Sequence, residues 1–129
     1  MIALGSEPVV LTGVTKDMRL LYEEQFGPVL PILSVASVEE AVEMANASPL
    51  GLQASVFTQD IDAAMTISDA LQAGTVQING APARGPDHFP FQGFKDSGLS
   101  SQGVRYSIEA MTKIKSTVIN LADESYTQG

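Results

Sequence analysis

The sequence contains no cysteine and only one histidine, His88. The absence of thiols excludes disulfides, zinc–thiolate sites and cysteine nucleophiles within this chain. A single imidazole cannot form a histidine metal cluster, and a Ser–His pair could use only His88 itself. These absences leave the 129 residues poorly equipped to be a complete enzyme of most familiar kinds.

Positive charge is also scarce, with 7 lysines and arginines against 15 aspartates and glutamates and a formal net charge of −8. A general nucleic-acid binder or a protein of anionic membrane surfaces needs a basic face, so we expect neither partner. A small anionic ligand held by one or two arginines stays compatible with this composition. No apolar run reaches the roughly 18–20 residues of a membrane span, and no secretory signal is evident. We therefore expect a cytoplasmic protein.

The pattern of the chain predicts an α/β fold in which strands and helices alternate. Strands are predicted over residues 8–14, 29–35, 54–58 and 75–79. Ser37 and Glu40 form a capping-box pattern that begins a helix ending near Asn46. Asp60 is the predicted cap of a second helix, which Gly74 is expected to end. These short spacings are typical of parallel βαβ units.

Residues 80–104 show no clear periodicity and are predicted to form one long loop. A loop of this length in a compact domain is usually functional or disordered. Phe89, Phe91 and Phe94 argue against disorder, so we expect a functional loop. A short helix over residues 105–113 and a final strand over residues 116–121 are predicted to follow.

Glu24 and Phe26 form the first candidate site, just before the turn at Gly27 and Pro28. A carboxylate accepts two hydroxyl hydrogen bonds, and an aromatic ring packs against a flat heterocycle. These residue types therefore suit a ligand clamp. The alternative is a solvated acidic turn with Phe26 in the core, where most aromatic residues lie.

Arg84 and Arg105 form the second candidate site, because the planar guanidinium suits phosphate or carboxylate groups. Arg105 also lies near a predicted helix N-terminus, where backbone N–H groups favour anions. The alternative is a pair of surface arginines bonded to nearby acids. Lys95 and Asp96 are predicted to form a local ion pair in a tight turn.

Four motifs occur in an order and spacing that resemble the C-terminal part of the aldehyde dehydrogenase superfamily, over about residues 8–121. They are Glu24-x-Phe26-Gly27-Pro28-Val29, Asn46-x-x-x-x-Gly51-Leu52, Gly74-x-Val76-x-Ile78-Asn79 and Pro90-Phe91-x-Gly93-x-Lys95-x-Ser97-Gly98. Residues 81–91 and 102–108 most resemble the non-phosphorylating, NADP-dependent glyceraldehyde-3-phosphate dehydrogenases.

The resemblance implies a role for each matching residue. Glu24 would hold the ribose hydroxyls beside the nicotinamide, and Phe26 would pack near the nicotinamide ring. Phe91 would form a wall of the aldehyde pocket, and Arg84 and Arg105 would bind the substrate phosphate. NADP or NAD is the implied cofactor of the parent enzyme, and we expect this chain alone to bind neither tightly.

The resemblance also implies that the chain is a C-terminal fragment. Members of the superfamily have several hundred residues, and their cysteine nucleophile, glutamate base and nucleotide-binding domain lie upstream of the matched region. Residues 1–115 would be the last part of the catalytic domain. Residues 116–129 would be an oligomerisation strand and tail, so we expect a homo-oligomer. Surfaces that normally pack against the rest of such an enzyme should be exposed and apolar.

Two other functions stay open from the sequence. The chain could be a self-folding, non-catalytic module that associates through its last strand. It could also belong to an aldehyde dehydrogenase for another substrate, such as succinate semialdehyde or lactaldehyde, because two arginines fit a carboxylate nearly as well as a phosphate.

Overall fold

The computed structural model describes residues 7–119 of the chain. The helices and strands in this part, in chain order, are β1 (Val9–Leu11), α1 (Arg19–Tyr22), β2 (Val29–Pro31), α2 (Val38–Asn46), β3 (Leu50–Gly51), β4 (Gln53–Val56), α3 (Ile61–Ala70), β5 (Thr75–Ile78), β6 (Phe91–Gln92), β7 (Phe94–Lys95), β8 (Ser101–Gln102) and α4 (Val104–Ala110).

The longer strands form two parallel pairs. β1 lies beside β2, with Val9 opposite Val29. β4 lies beside β5, with Val56 opposite Ile78. Because α3 connects β4 to β5, these three elements form the predicted βαβ unit, and the α/β fold class is confirmed.

The shorter strands form two antiparallel pairs, β3 with β7 and β6 with β8. Three of these strands lie within residues 80–104, so the prediction of one long loop is wrong for this part of the chain. A strand of two residues cannot show an alternation of polar and apolar side chains, and sequence periodicity misses it for that reason. The single turn of α1 was not predicted either, because four residues are too few to show a helical repeat of apolar side chains.

Side-chain caps fix the beginnings of α2 and α3 as predicted. The Ser37 hydroxyl accepts a hydrogen bond of 3.2 Å from the Glu40 N–H. In return, the Glu40 carboxylate accepts one of 2.8 Å from the N–H of Ala36, one residue earlier than in the usual capping box. The Asp60 carboxylate accepts two hydrogen bonds from the first turn of α3. These caps satisfy donors that a helix N-terminus otherwise leaves unpaired.

The prediction that Gly74 ends α3 is wrong, because the helix already ends at Ala70. Gly74 instead allows two backbones to approach each other closely. A Cβ at this position would lie 1.8 Å from the carbonyl oxygen of Gln92 in β6. Only a residue without a side chain fits here, where the backbone just before β5 meets β6.

Little hydrophobic surface is buried within residues 7–119, where the buried hydrophobic side chains are Val14, Val56 and Ala64. Large apolar side chains of α3 are exposed, with Ile61 at 66% and Met65 at 54%. This agrees with the expectation that apolar surfaces of the chain lack a covering partner. Each exposed apolar side chain forgoes burial worth about 1.5–3 kcal/mol.

The helix predicted over residues 105–113 is present as α4, and residues 112–119 form neither a helix nor a strand. The predicted last strand falls partly there, while Asn120, Leu121 and the tail lie outside the described residues. A strand needs a neighbour to pair with, so its pairing with another subunit stays a prediction. None of the helices in residues 7–119 is long and apolar enough to cross a membrane.

Candidate functional site

Glu24 lies at a surface depression of about 590 Å³. The segment after α1 places Glu24 on one side, and the residues that follow α2 and β7 form much of the remainder. Asn46, Ser48 and Ser97 are among the lining residues. Because Glu24 is exposed, its carboxylate can accept hydrogen bonds from hydroxyl groups of a ligand in the depression.

Phe26 projects into solvent with 96% of its surface exposed, so the alternative that it belongs to the core is wrong. The following turn is held against β1, where the Val9 N–H donates a hydrogen bond of 2.8 Å to the Pro28 carbonyl. The ring is available to a flat ligand or to another part of a larger protein. Phe26 is not one of the residues that line the Glu24 depression.

Lys95 joins β7 to the end of α2 at the Glu24 depression, which the sequence did not reveal. Its ammonium donates hydrogen bonds of 2.8 Å to the Asn46 carbonyl and 2.9 Å to the Ser48 carbonyl. The predicted ion pair between Lys95 and Asp96 is therefore wrong. The Asn46 carbonyl, in the last residue of α2, lacks a partner within the helix and carries partial negative charge, so it attracts the ammonium.

Ser97 makes a second connection across this depression. Its hydroxyl accepts a hydrogen bond of 2.9 Å from the N–H of Gly51 in β3. Lys95 and Ser97 thus fix β7 and the following turn against the region between α2 and β4. Both contacts join residues more than 40 positions apart, which no local sequence pattern reports.

Arg84 and Phe91, two of the predicted substrate residues, do come together. The central carbon of the Arg84 guanidinium lies 5.7 Å from the centre of the Phe91 ring, within the range of a cation–π contact. Arg84 Nη2 also lies 2.6 Å from Asp87 Oδ1. The Arg84 guanidinium thus lies over the Phe91 ring, and one of its nitrogens is bonded to the Asp87 carboxylate.

Arg105 is the second residue of α4, and its guanidinium Nε lies 2.8 Å from Glu109 Oε1, one helical turn further on. The hydrogen bond and the charge of Glu109 raise the pKa of Arg105 above its ordinary value. Arg84 and Arg105 therefore both pair with nearby acids, as the surface alternative predicted. Exposed ion pairs of this kind contribute little to stability.

A hydrogen bond joins the Arg84 loop to the beginning of α4. The Val104 N–H donates a hydrogen bond of 3.0 Å to the Asp87 carbonyl. Gly103, at a φ of +132°, makes this approach possible, since a Cβ there would lie 3.1 Å from the same carbonyl. A depression of about 320 Å³ lies at this junction, with Arg84 and Ser107 in its lining and Arg105 outside it.

Glu24, Arg84 and Phe91 line three different depressions in the described part of the chain. The Glu24 depression and the Arg84 depression share no lining residue. The structure therefore does not bring the predicted cofactor residues and the predicted substrate residues into one cavity. Residues 7–119 also contain no cluster of three histidine, aspartate or glutamate side chains that could hold a metal ion.

Comparison with known proteins identifies similar sequences over most of the chain. The model of the aldehyde dehydrogenase family matches residues 4–117. An NADP-dependent glyceraldehyde-3-phosphate dehydrogenase from Triticum aestivum is 62% identical over 122 residues, which are 95% of this chain and 25% of that protein. A lactaldehyde dehydrogenase from Methanococcus maripaludis is 48% identical over 113 residues, which are 88% of this chain and 24% of that protein.

Solved structures give the same likeness. The NADP-dependent glyceraldehyde-3-phosphate dehydrogenase of Bacillus halodurans C-125, complexed with NADP, superimposes with a TM-score of 0.84 at 52% identity. The match covers 88% of this chain and 24% of that one. The chain thus spans about a quarter of the length of the relatives it matches.

Proposed function

Because this chain belongs to the aldehyde dehydrogenase family, we propose that it supplies cofactor-binding and substrate-binding residues for the oxidation of an aldehyde to its acid. The proposed aldehyde is glyceraldehyde 3-phosphate, and the proposed cofactor is NADP. Both choices are supported by relatives that are more than 60% identical over nearly the whole chain and carry this substrate and cofactor in their names.

Glu24 and Phe26 suit the cofactor role in chemistry and exposure. In this proposal, the Glu24 carboxylate accepts the ribose hydroxyls, and the Phe26 ring packs beside the nicotinamide. The open depression beside Glu24 and the almost fully exposed ring leave room for both contacts. The bound cofactor would accept a hydride, while these side chains only bind and orient it.

The contact between Arg84 and Phe91 is the observation that carries the substrate assignment. It places a group that binds phosphate against a flat apolar wall, which is what a small phosphorylated aldehyde requires. Arg105 is the second proposed phosphate ligand. A phosphate would replace the carboxylates of Asp87 and Glu109, which now occupy these exposed guanidiniums.

The family resemblance implies a cysteine nucleophile for this reaction, and these 129 residues contain no cysteine. We therefore propose that this chain is inactive alone and acts with residues supplied by the remainder of an aldehyde dehydrogenase. Residues 1–115 would complete a catalytic domain, and residues 116–129 would join subunits in a homo-oligomer. Its proposed location is the cytoplasm.

A chimeric enzyme tests this function. In it, this chain replaces the matching 122-residue segment of the Triticum aestivum relative. We expect NADPH formation from glyceraldehyde 3-phosphate by the chimeric enzyme and none by the chain alone. Activity of the chain alone, or a folded chimeric enzyme without activity, would contradict the proposal.

Within the chimeric enzyme, Arg84→Ala and Arg105→Ala test the phosphate assignment. Each should raise the KM for glyceraldehyde 3-phosphate about tenfold or more, because a charge-assisted hydrogen bond is worth about 1.5–3 kcal/mol. The KM for glyceraldehyde, which lacks the phosphate, should change little. Equal effects on both substrates would refute the assignment.

Lactaldehyde oxidation is a second candidate, favoured by the 48% identity to the Methanococcus maripaludis enzyme. A higher kcat/KM for lactaldehyde than for glyceraldehyde 3-phosphate in the chimeric enzyme would support it. Self-association without catalysis is a third candidate, favoured by exposed apolar residues such as Ile114 and Val118. A stable dimer of the isolated chain with no affinity for NADP would support that function.

A further inference from the structure

Asn79 joins the carboxyl ends of β4 and β5 through both ends of its side-chain amide. Its Oδ1 accepts a hydrogen bond of 2.9 Å from the Thr58 N–H, and its Nδ2 donates one of 2.8 Å to the Thr58 carbonyl. Its own N–H continues the ladder with a bond of 2.8 Å to the Val56 carbonyl. The side chain thus extends the pairing of the two strands beyond the last residue of each.

The backbone of Asn79 leaves the strand in an uncommon direction. Its φ is +54°, in the left-handed region of the backbone that residues other than glycine rarely adopt. Asparagine tolerates this region better than most residues, and the surrounding structure must hold it there. The two bonds to Thr58 provide that restraint. The chain consequently turns away at residue 79 and does not continue along β5.

The segment that leaves in this direction carries Arg84 toward Phe91. Between Asn79 and Arg84, the structure shows one further tether to β5, a long hydrogen bond of 3.4 Å from Gln77 Nε2 to the Ala83 carbonyl. The direction set at Asn79 is therefore a main determinant of where the Arg84 guanidinium lies. Ligands of α/β folds commonly bind beyond the carboxyl ends of parallel strands, where this turn lies.

We propose that Asn79 is a positioning residue, whose amide bridge to Thr58 and left-handed backbone place Arg84 over Phe91 for recognition of the substrate phosphate. Asn79 does not touch the substrate in this assignment, and it acts through Arg84. The assignment rests on the proposed function, in which Arg84 binds that phosphate.

Two variants of the chimeric enzyme separate the contributions of Asn79. Asn79→Gly keeps the backbone direction available and removes both bonds to Thr58. Asn79→Asp keeps the shape and the acceptor for the Thr58 N–H, and it removes the donor to the Thr58 carbonyl. Ser37→Ala is the control, because the Ser37 hydroxyl likewise bonds a backbone group, the Glu40 N–H, and Ser37 lines neither the Glu24 depression nor the Arg84 depression.

The readouts are the KM for glyceraldehyde 3-phosphate, the KM for glyceraldehyde, kcat and the melting temperature. We expect both Asn79 variants to raise the KM for glyceraldehyde 3-phosphate about tenfold and the KM for glyceraldehyde less than about twofold. A misplaced binding group costs affinity only for the substrate that uses it. Ser37→Ala should also lower the melting temperature and should leave the ratio of the two KM values unchanged.

A double variant shows whether Asn79 acts through Arg84. If it does, Asn79→Gly combined with Arg84→Ala raises the KM for glyceraldehyde 3-phosphate no further than Arg84→Ala alone. Fully additive effects would overturn the proposal. So would unchanged KM ratios in both Asn79 variants, or failure of both to fold while Ser37→Ala folds, since a purely structural role would then suffice.

The outcomes for Arg84 distinguish this proposal from the proposed function. If Arg84→Ala alone leaves the ratio of KM values unchanged, the phosphate assignment fails and the Asn79 assignment fails with it. If Arg84→Ala changes the ratio and the Asn79 variants do not, only the positioning role of Asn79 is overturned.

Discussion

The β4–α3–β5 unit and the region from β6 to β8 are held in place by different kinds of interaction. In the first, a four-residue parallel ladder and a capped helix of ten residues arise from neighbouring parts of the sequence. In the second, strands of two residues depend on close backbone contacts and on side chains that reach across more than 40 positions.

This difference predicts how each region responds to substitution. A helix cap supports one turn, so its loss is local and modest. A glycine between two backbones leaves no room for adjustment, and a lysine that bridges two carbonyls has no neighbour to replace it. The irregular region should therefore be the more sensitive one, although it has the fewer regular hydrogen bonds. The following substitutions test that order, beginning with the largest expected effect.

Gly74→Ala should be the most damaging single substitution. The new methyl group would lie 1.8 Å from the Gln92 carbonyl oxygen and 2.6 Å from its carbon, so the backbone of β5 or β6 must move. We expect the free energy of unfolding to fall by about 3 kcal/mol, measured by thermal unfolding of the chimeric enzyme. Gly80→Ala is the control, because its nearest atoms would lie 3.8 Å away. Comparable losses at positions 74 and 80 would show that the close contact does not determine stability.

Lys95→Met should have the next largest effect, about 1–3 kcal/mol, because it removes the donor to the Asn46 and Ser48 carbonyls. It should also raise the KM for NADP, since Lys95 holds the wall of the Glu24 depression. Lys113→Met, at an exposed lysine, should change neither the melting temperature nor that KM. An unchanged KM for NADP in Lys95→Met would separate Lys95 from cofactor binding.

The same difference explains how much of the fold was predictable. The extent of α2 and the beginning of α3 follow from the Ser37 and Asp60 caps and a helical repeat of apolar residues, which are local signals. The fit of Gly74 against Gln92 and the bonds of Lys95 depend on partners far along the chain. No local pattern specifies such partners, so the sequence predicted a helix end at Gly74 and an ion pair at Lys95.

The features of the candidate site likewise divide into those that the sequence predicted and those that only the folded chain shows. Residue chemistry and the family resemblance were enough to select Glu24, Phe26, Arg84, Phe91 and Arg105. The contact of Arg84 with Phe91 and the exposure of Phe26 emerge only when the chain is folded. Asn79 was visible in a motif, but its positive φ and its bridge to Thr58 depend on the neighbouring strand.

Asp60→Ala should have a smaller effect, confined to the first turn of α3. It removes the acceptor for the N–H groups of Asp62 and Ala63, which typically costs about 1 kcal/mol. Hydrogen exchange of these two amides should become about fivefold faster. Amides of β5 should keep their protection. Equal acceleration in β5 would mean that the cap supports the whole unit and not one turn.

Loss of the ion pair of Lys16 and Glu40 should lower the free energy of unfolding least, because Lys16 is exposed, Glu40 is only half-buried and one bond of 2.8 Å joins them. The Lys16 ammonium and the Ala36 N–H lower the pKa of Glu40 below its ordinary value of 4.5. A lowered folded-state pKa means that the stabilisation is complete above pH 4.5 and is lost as the pH falls through the folded-state value.

Lys16 sets the upper end of the pH range in which the ion pair stabilises the fold, because Glu40 raises the pKa of Lys16 above 10.5. The stabilisation from Lys16 is complete below pH 10.5 and is lost as the pH rises through the raised value. An NMR titration of the Glu40 carboxyl carbon should give a midpoint below 4.5, and Lys16→Met should move it upward. Because the Ala36 N–H still donates to Glu40 in that variant, the midpoint should stay below the ordinary value. A midpoint that Lys16→Met leaves unchanged would show that the backbone bond alone holds Glu40 ionised, and that the cap, not the ion pair, connects Glu40 to the stability of α2.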